Sequence, residues 1–141
     1  MRNPFTPNHV RLIQDCYPQP SALLASAPEY NPNSQELSRL AYYASNHPAK
    51  LAKVGQELEK RAKTEVARAR WGNARARASL LVTLGIFKTL GAECRNDISL
   101  FTPALISTVA AALTPFTRDL EVAARAASLV RHLFVIFAIL Y

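Results

Sequence analysis

The chain predicts an all-α fold: antiparallel helix pairs of an armadillo- or HEAT-like solenoid. Three observations carry this. Alanine, leucine and arginine, all good helix formers, are abundant among its 141 residues. Glycine occurs only four times, and seven of the nine prolines fall before residue 50, which gathers irregular structure near the N-terminus. Beyond that segment apolar residues recur at intervals of three and four, and no alternating strand pattern competes. Half the residues are hydrophobic, so the chain has the means to bury a modest core as one domain or a piece of one.

The elements follow in order. Residues 1–33 form an irregular, proline-rich segment with one short helix over 7–16, in which Val10, Leu12 and Ile13 are apolar. Tyr17-Pro18 ends it, because a residue before proline avoids the α region. Residues 18–33 then read as a loop. Asn33 and Ser34 supply an N-cap for a helix ending near Asn46, and Pro48 suits the first turn of the next. In that helix Leu51, Val54, Leu58, Ala62, Val66 and Ala69 form a buried stripe. Gly72 marks a tight turn or a close helix crossing, with Trp71 beside it assigned to the core. Helical spacing resumes over 73–93, with Ala76, Leu80, Leu84, Phe87 and Leu90 or Gly91 inward. Asn96 or Asp97 caps a helix over 98–113 that holds Pro103 early, and Thr114-Pro115 breaks it. Thr117 or Asp119 starts a last helix. Helix pairs at a spacing of about 40 residues match a HEAT or armadillo rhythm, so 34–128 reads as the helical-repeat domain. Residues 129–141 form an apolar tail. Its last nine residues carry no charge, against the roughly 20 that a spanning helix needs, and Arg125 and Arg131 interrupt any extension upstream. No transmembrane helix and no signal peptide are expected.

Charge is the most informative feature for function. Residues 50–77 hold nine basic residues against Glu57, Glu59 and Glu65, a net +6 of the chain's formal +7. On a helical wheel Lys53 and Lys60 lie opposite the apolar stripe. Lys63 and Arg70 lie closer to its edge, and Lys50, Arg61 and Arg68 occupy one flank. Such a concentration attracts a polyanion, either a lipid surface or a nucleic acid. The competing reading is a solvated face with i, i+4 pairs, Glu57 with Arg61 and Glu59 with Lys63. The aromatic residues do not interleave with the cations, so the successive stacking platforms of a single-strand binder are missing. Enzyme chemistry is the weakest class. His9, His47 and His132 are scattered, no catalytic or metal-ligand spacing accompanies them, and no glycine-rich phosphate loop occurs. No catalytic residue, metal or cofactor is expected. Tyr42 and Tyr43 read as core and edge packing. Cys16 and Cys94, far apart and with neither disulfide nor lipidation spacing, read as packed free thiols.

Several ordered runs carry a resemblance. They are 12–18 (LIQDCYP), 36–44 (ELSRLAYYA), 48–55 (PAKLAKVG), 58–61 (LEKR) and 66–73 (VARARWGN). In order and spacing they resemble the start of the Efr proteins, called rolling blackout in flies. These are plasma-membrane scaffolds for the type III alpha phosphatidylinositol 4-kinase. The resemblance covers roughly residues 5–128. It implies a non-catalytic helical rod whose basic patch binds anionic phospholipid on the cytoplasmic face of the plasma membrane. It also implies recruitment of the kinase through a tetratricopeptide-repeat adaptor. The positions that match the family's basic pattern are Lys50, Lys53, Lys60, Arg61, Arg68 and Arg70, and Lys63 joins them as a candidate lipid-binding residue. A basic helical nucleic-acid-binding module is the second reading. Family members are several times longer, and their later part engages the adaptor. From Leu129 onward the pattern departs from the family, for which a truncated or misread gene end is the expected cause. The cysteine cluster that animal members acylate is missing near the N-terminus, which leaves attachment to charge.

Overall fold

The computed structural model describes residues 4–113 and 119–140. They form α1 (Asn8–Asp15), α2 (Pro20–Leu23), α3 (Ser34–Asn46), α4 (Pro48–Ala69), α5 (Ala74–Glu93), α6 (Ile98–Leu113) and α7 (Leu120–Leu140). No strand occurs among the described residues. The fold is all-α, with successive helices packed on one another as in a helical repeat. The central helix is α5, against which α4, α3 and α7 pack, while α6 fills the space between α4 and α7. The short segment Arg70–Asn73 turns α5 back along α4.

The α4 stripe is buried throughout, from Leu51 to Ala69. Its partner side is α6, and the two come close enough that a Cβ on Gly55 would sit 3.1 Å from both Ala104 Cβ and a Phe101 ring carbon. A larger residue there would require Ala104 or Phe101 to give by a few tenths of an ångström. On α5 almost every apolar side chain is enclosed, and Phe87 meets Phe101 with ring centroids 5.2 Å apart. Asn73 caps α5 as its side chain accepts from the Ala76 N–H at 3.0 Å. Asp119 does the same for α7, accepting from Val122 at 3.2 Å. The break expected at Thr114-Pro115, and the alternative start at Thr117, lie outside the described residues.

Four expectations are corrected. Residues 18–33 are not all loop: Pro20, with φ already fixed for a first turn, opens α2, and a 3₁₀ turn over Leu24–Ser26 follows. Asn33 precedes α3 but makes no side-chain cap, because its amide donates instead to Asp15 O (3.0 Å) and Tyr17 O (3.2 Å). It ties the N-terminal segment down rather than capping a helix. Trp71 is not core; it is 84% exposed. Tyr42 is also exposed, and it is Tyr43 that packs, stacked 4.5 Å from the His47 ring.

The charge-free end belongs to a longer element than its nine residues indicate. Helix α7 is continuous, and two stretches, 95–113 and 120–139, are long and apolar enough to cross a membrane by length and composition. Arg125 does not interrupt α7, because it pairs with Glu121 at 2.9 Å and donates to Glu29 O at 2.6 Å. A core helix passes the same length test. Leu129, Leu133 and Ile136 face inward, while Phe134, Val135 and Ile139 are exposed.

Candidate functional site

Helix α4 exists because Pro48 opens it, strong helix formers fill it and its apolar stripe finds α5 and α6. That burial fixes the rotation of the helix, and rotation decides which cations face water. At about 100° per residue, Lys53, Lys60 and Arg68 fall on one face. All three are exposed. Helix α5 brings a fourth, Arg75, to the same place. Between the N-terminal segment, α4 and the start of α5 lies an open cleft of about 590 Å³. Lys60, Arg61, Arg68 and Arg75 line it, with Glu57, Glu65 and Tyr17.

The floor of the cleft is a polar network centred on Glu65. Glu65 is only 6% exposed. It accepts hydrogen bonds from the Ser79 hydroxyl and, at 2.6 Å, from the Thr83 hydroxyl. The Tyr17 hydroxyl completes the chain by donating to Thr83 Oγ1 at 2.6 Å. Arg61 covers this network. Its Nε stands 3.6 Å from the Glu65 carboxylate, and its guanidinium lies 3.5 Å over the Tyr17 ring. Burial raises the pKa of Glu65, and the Ser79, Thr83 and Arg61 interactions only partly offset it. Burial likewise raises the pKa of Tyr17, helped by the Glu65 charge.

The candidate residues therefore separate. Lys53, Lys60, Arg68 and Arg70 are exposed and make no ion pair among the described residues. Lys50 is half-buried near His9, whose pKa is lowered, first by burial. Lys63 is exposed but bound to Glu59 at 2.9 Å, as its spacing predicts. Arg61 is half-buried and pairs with Glu65, not with the expected Glu57. The cleft gathers Lys60, Arg61 and Arg68 and leaves Lys50, Lys53, Lys63 and Arg70 outside its lining. Arg77, counted in the basic run, forms a two-bond pair with Asp119 at 2.7 and 3.1 Å and is not free.

Reading the sequence missed Arg75 as a site residue and missed the Tyr17–Thr83–Glu65 chain. A signal for the latter existed: Glu65 falls inside the apolar stripe, and a buried acid requires partners. No group of three or more metal-ligating side chains is found among the described residues. Both thiols are buried. Burial and the nearby Asp15 and Glu36 charges push Cys16 up to about 12, and burial raises Cys94.

Compared with known families, residues 8–132 match the family model described as EFR3 protein. The chain belongs to the EFR3 family. The match takes in α1 through the first half of α7, so the whole cleft falls within it. Protein EFR3 of Mycosarcoma maydis is 48% identical over 130 residues, which is 86% of this chain and 12% of that relative. Protein EFR3 of Cryptococcus neoformans var. neoformans serotype D is 49% identical over 121 residues, 82% of this chain and 12% of the relative. That of Yarrowia lipolytica is 37% identical over 103 residues, 73% of this chain and 11% of the relative. The chain thus spans about an eighth of the length of these EFR3 proteins. No solved structure matches it.

Proposed function

We propose that this chain is the N-terminal, membrane-facing part of a non-catalytic plasma-membrane scaffold, and that its exposed cations bind anionic lipid of the cytoplasmic leaflet. In the full-length relatives this part would help position a phosphatidylinositol 4-kinase complex through a tetratricopeptide-repeat adaptor. Membership of the EFR3 family supports the scaffold reading. The single observation behind lipid binding is the set Lys60, Arg68 and Arg75, exposed around one cleft without an acidic partner. A basic residue near an anionic leaflet contributes about 1 kcal/mol, so three give about 3 kcal/mol, or roughly a hundredfold in affinity. Lys53 and Arg70 extend the surface. The cleft floor belongs to the fold, and Arg61 serves it there rather than meeting a ligand.

The test is co-sedimentation of the whole chain with phosphatidylcholine vesicles, with and without phosphatidylserine and phosphoinositides. The expected result is binding to anionic vesicles only, weakened by salt. Replacing Lys60, Arg68 and Arg75 together with Glu should abolish it and leave helicity unchanged. Undiminished binding by that variant would sink the proposal.

A further inference from the structure

The chain's one tryptophan is, among the described residues, its most exposed large ring besides Phe5, and nothing in the membrane reading above requires it to be. Trp71 stands at the apex of the turn between α4 and α5. The turn is well fixed. Trp71 N–H bonds Arg68 O (3.2 Å), Gly72 N–H bonds Ala69 O (2.9 Å), and Asn73 N–H bonds Arg68 O (3.4 Å). Gly72 has φ +88, a conformation open to glycine and costly for most other residues. A backbone held this way directs the indole out of the fold, so the exposure comes from a built turn. A tryptophan left in water forgoes the burial of a large apolar area, about 2–3 kcal/mol for a full side chain.

The surroundings say what should cover it. Arg68, Arg70 and Arg75 flank the turn in sequence and are all exposed, and the Arg70 guanidinium lies 5.6 Å from the Trp71 ring centre. No Asp or Glu occurs between Glu65 and Glu93. A protein-binding anchor of this size normally sits within an apolar patch. Here the adjoining residues are cations, an asparagine, a glycine and alanines. One amphipathic ring within a collar of arginines fits the boundary of an anionic bilayer. There phosphates accept from guanidinium groups, and the level just below them accepts indole.

We infer that Trp71 is an interfacial anchor that inserts at the headgroup–acyl boundary of an anionic membrane, with Arg68, Arg70 and Arg75 holding lipid phosphates around it. This deepens the lipid-binding reading and rests on it. It orients the molecule, with the α4–α5 turn and the adjoining rim of the cleft facing the bilayer together.

Because no other tryptophan is present, fluorescence excited beyond the tyrosine absorption band reports on this residue alone. The experiment adds vesicles of phosphatidylcholine, of phosphatidylcholine with phosphatidylserine, and of the same anionic mixture brominated on the acyl chains. Sedimentation is measured on the same samples, and single-stranded RNA is added in a parallel titration. The expected result is a blue-shifted emission with anionic vesicles only and quenching by the brominated lipid. Trp71→Ala should sediment roughly tenfold more weakly, from loss of part of an aromatic burial, and Trp71→Phe should recover part of that loss. Circular dichroism of both variants should match the parent, because the ring is exposed. Sedimentation with unchanged emission, and equal binding by Trp71→Ala, would overturn the anchor while leaving charge-driven lipid binding intact. Failure to sediment with any vesicle would overturn both. A shift with RNA and none with vesicles would overturn both in favour of base stacking on Trp71.

Discussion

The floor and the rim of the cleft are made from the same basic run, yet they behave in opposite ways. On the floor, Arg61 and Glu65 are partnered with each other, with Tyr17 and with two hydroxyls. On the rim, Lys60, Arg68 and Arg75 face solvent and make no ion pair among the described residues. A formal net charge therefore overstates what a ligand can meet. Arg61 is spent on the fold, Lys63 on Glu59 and Arg77 on Asp119. Charge that stabilises is charge already satisfied, and charge available for recognition is what packing leaves unsatisfied.

The comparison breaks most sharply at Glu65. Glu65→Ala should cost about 3 kcal/mol, because it strands two hydroxyls and leaves Arg61 over a half-buried ring without its counter-charge. Thermal unfolding followed by circular dichroism should show a lower midpoint. Vesicle binding measured well below that midpoint should be unchanged, since the rim does not use the network. A variant of normal stability would mean that the floor does not hold the N-terminal segment on α4 and α5.

Much of this was legible in the sequence, and the failures share a cause. The boundaries between α3, α4 and α5 follow from Pro48, Gly72, Asn73 and the spacing of the α4 stripe, which are local signals. Arg61 was placed on a helical wheel as a flank residue, but its fate depends on Tyr17, which lies far back in the chain and meets it only after α1 packs on α4. Composition alone assigns Trp71 to the core, where large apolar side chains usually go. The left-handed Gly72 reverses the chain just after it and leaves the ring outside. Arg75 lies on α5, and the helical wheel of α4 can rank only its own residues. Local periodicity decides elements; contacts between elements decide which charges remain free.

Acid and base titrations sharpen the contrast within the paired set. The pKa of Glu65 is raised by burial, so the folded state holds its proton more tightly than the unfolded state. Its contribution is therefore most favourable below the ordinary carboxylate range and is lost as pH rises through the raised value. The Arg77 hydrogen bonds hold Asp119 below the usual range, so its contribution is present above the ordinary range and fades as pH falls. In urea unfolding across acid to neutral pH, Glu65→Gln should lose a slope of up to about 1.4 kcal/mol per pH unit. It should thus gain on the parent as pH rises. Asp119→Asn should be weaker than the parent at neutral pH and converge with it in acid. Parallel curves for the parent and Glu65→Gln would show that folding leaves the pKa of Glu65 unchanged.

The smallest effect separates two neighbouring lysines of α4. Lys60 sits on the rim. Lys63, three residues later, is turned by about 60° away from it on the side opposite Arg68, and is tied to Glu59. The Ser107 hydroxyl, followed by Lys63, holds Glu59 below its usual pKa, so the pair is anchored on α6. Removing Lys63 should cost the fold only about 0.3–0.5 kcal/mol, the usual worth of an exposed helical pair. Its distance from a bilayer contacted by the rim keeps its share of the attraction small. Lys60→Ala should weaken binding to anionic vesicles roughly fivefold, from about 1 kcal/mol per basic residue at the surface. Lys63→Ala should change it less than half as much. Co-sedimentation at low salt resolves the difference, because screening shrinks both effects together. Equal losses for the two lysines would mean that the whole outer face of α4, and not the rim with its turn, lies against the membrane.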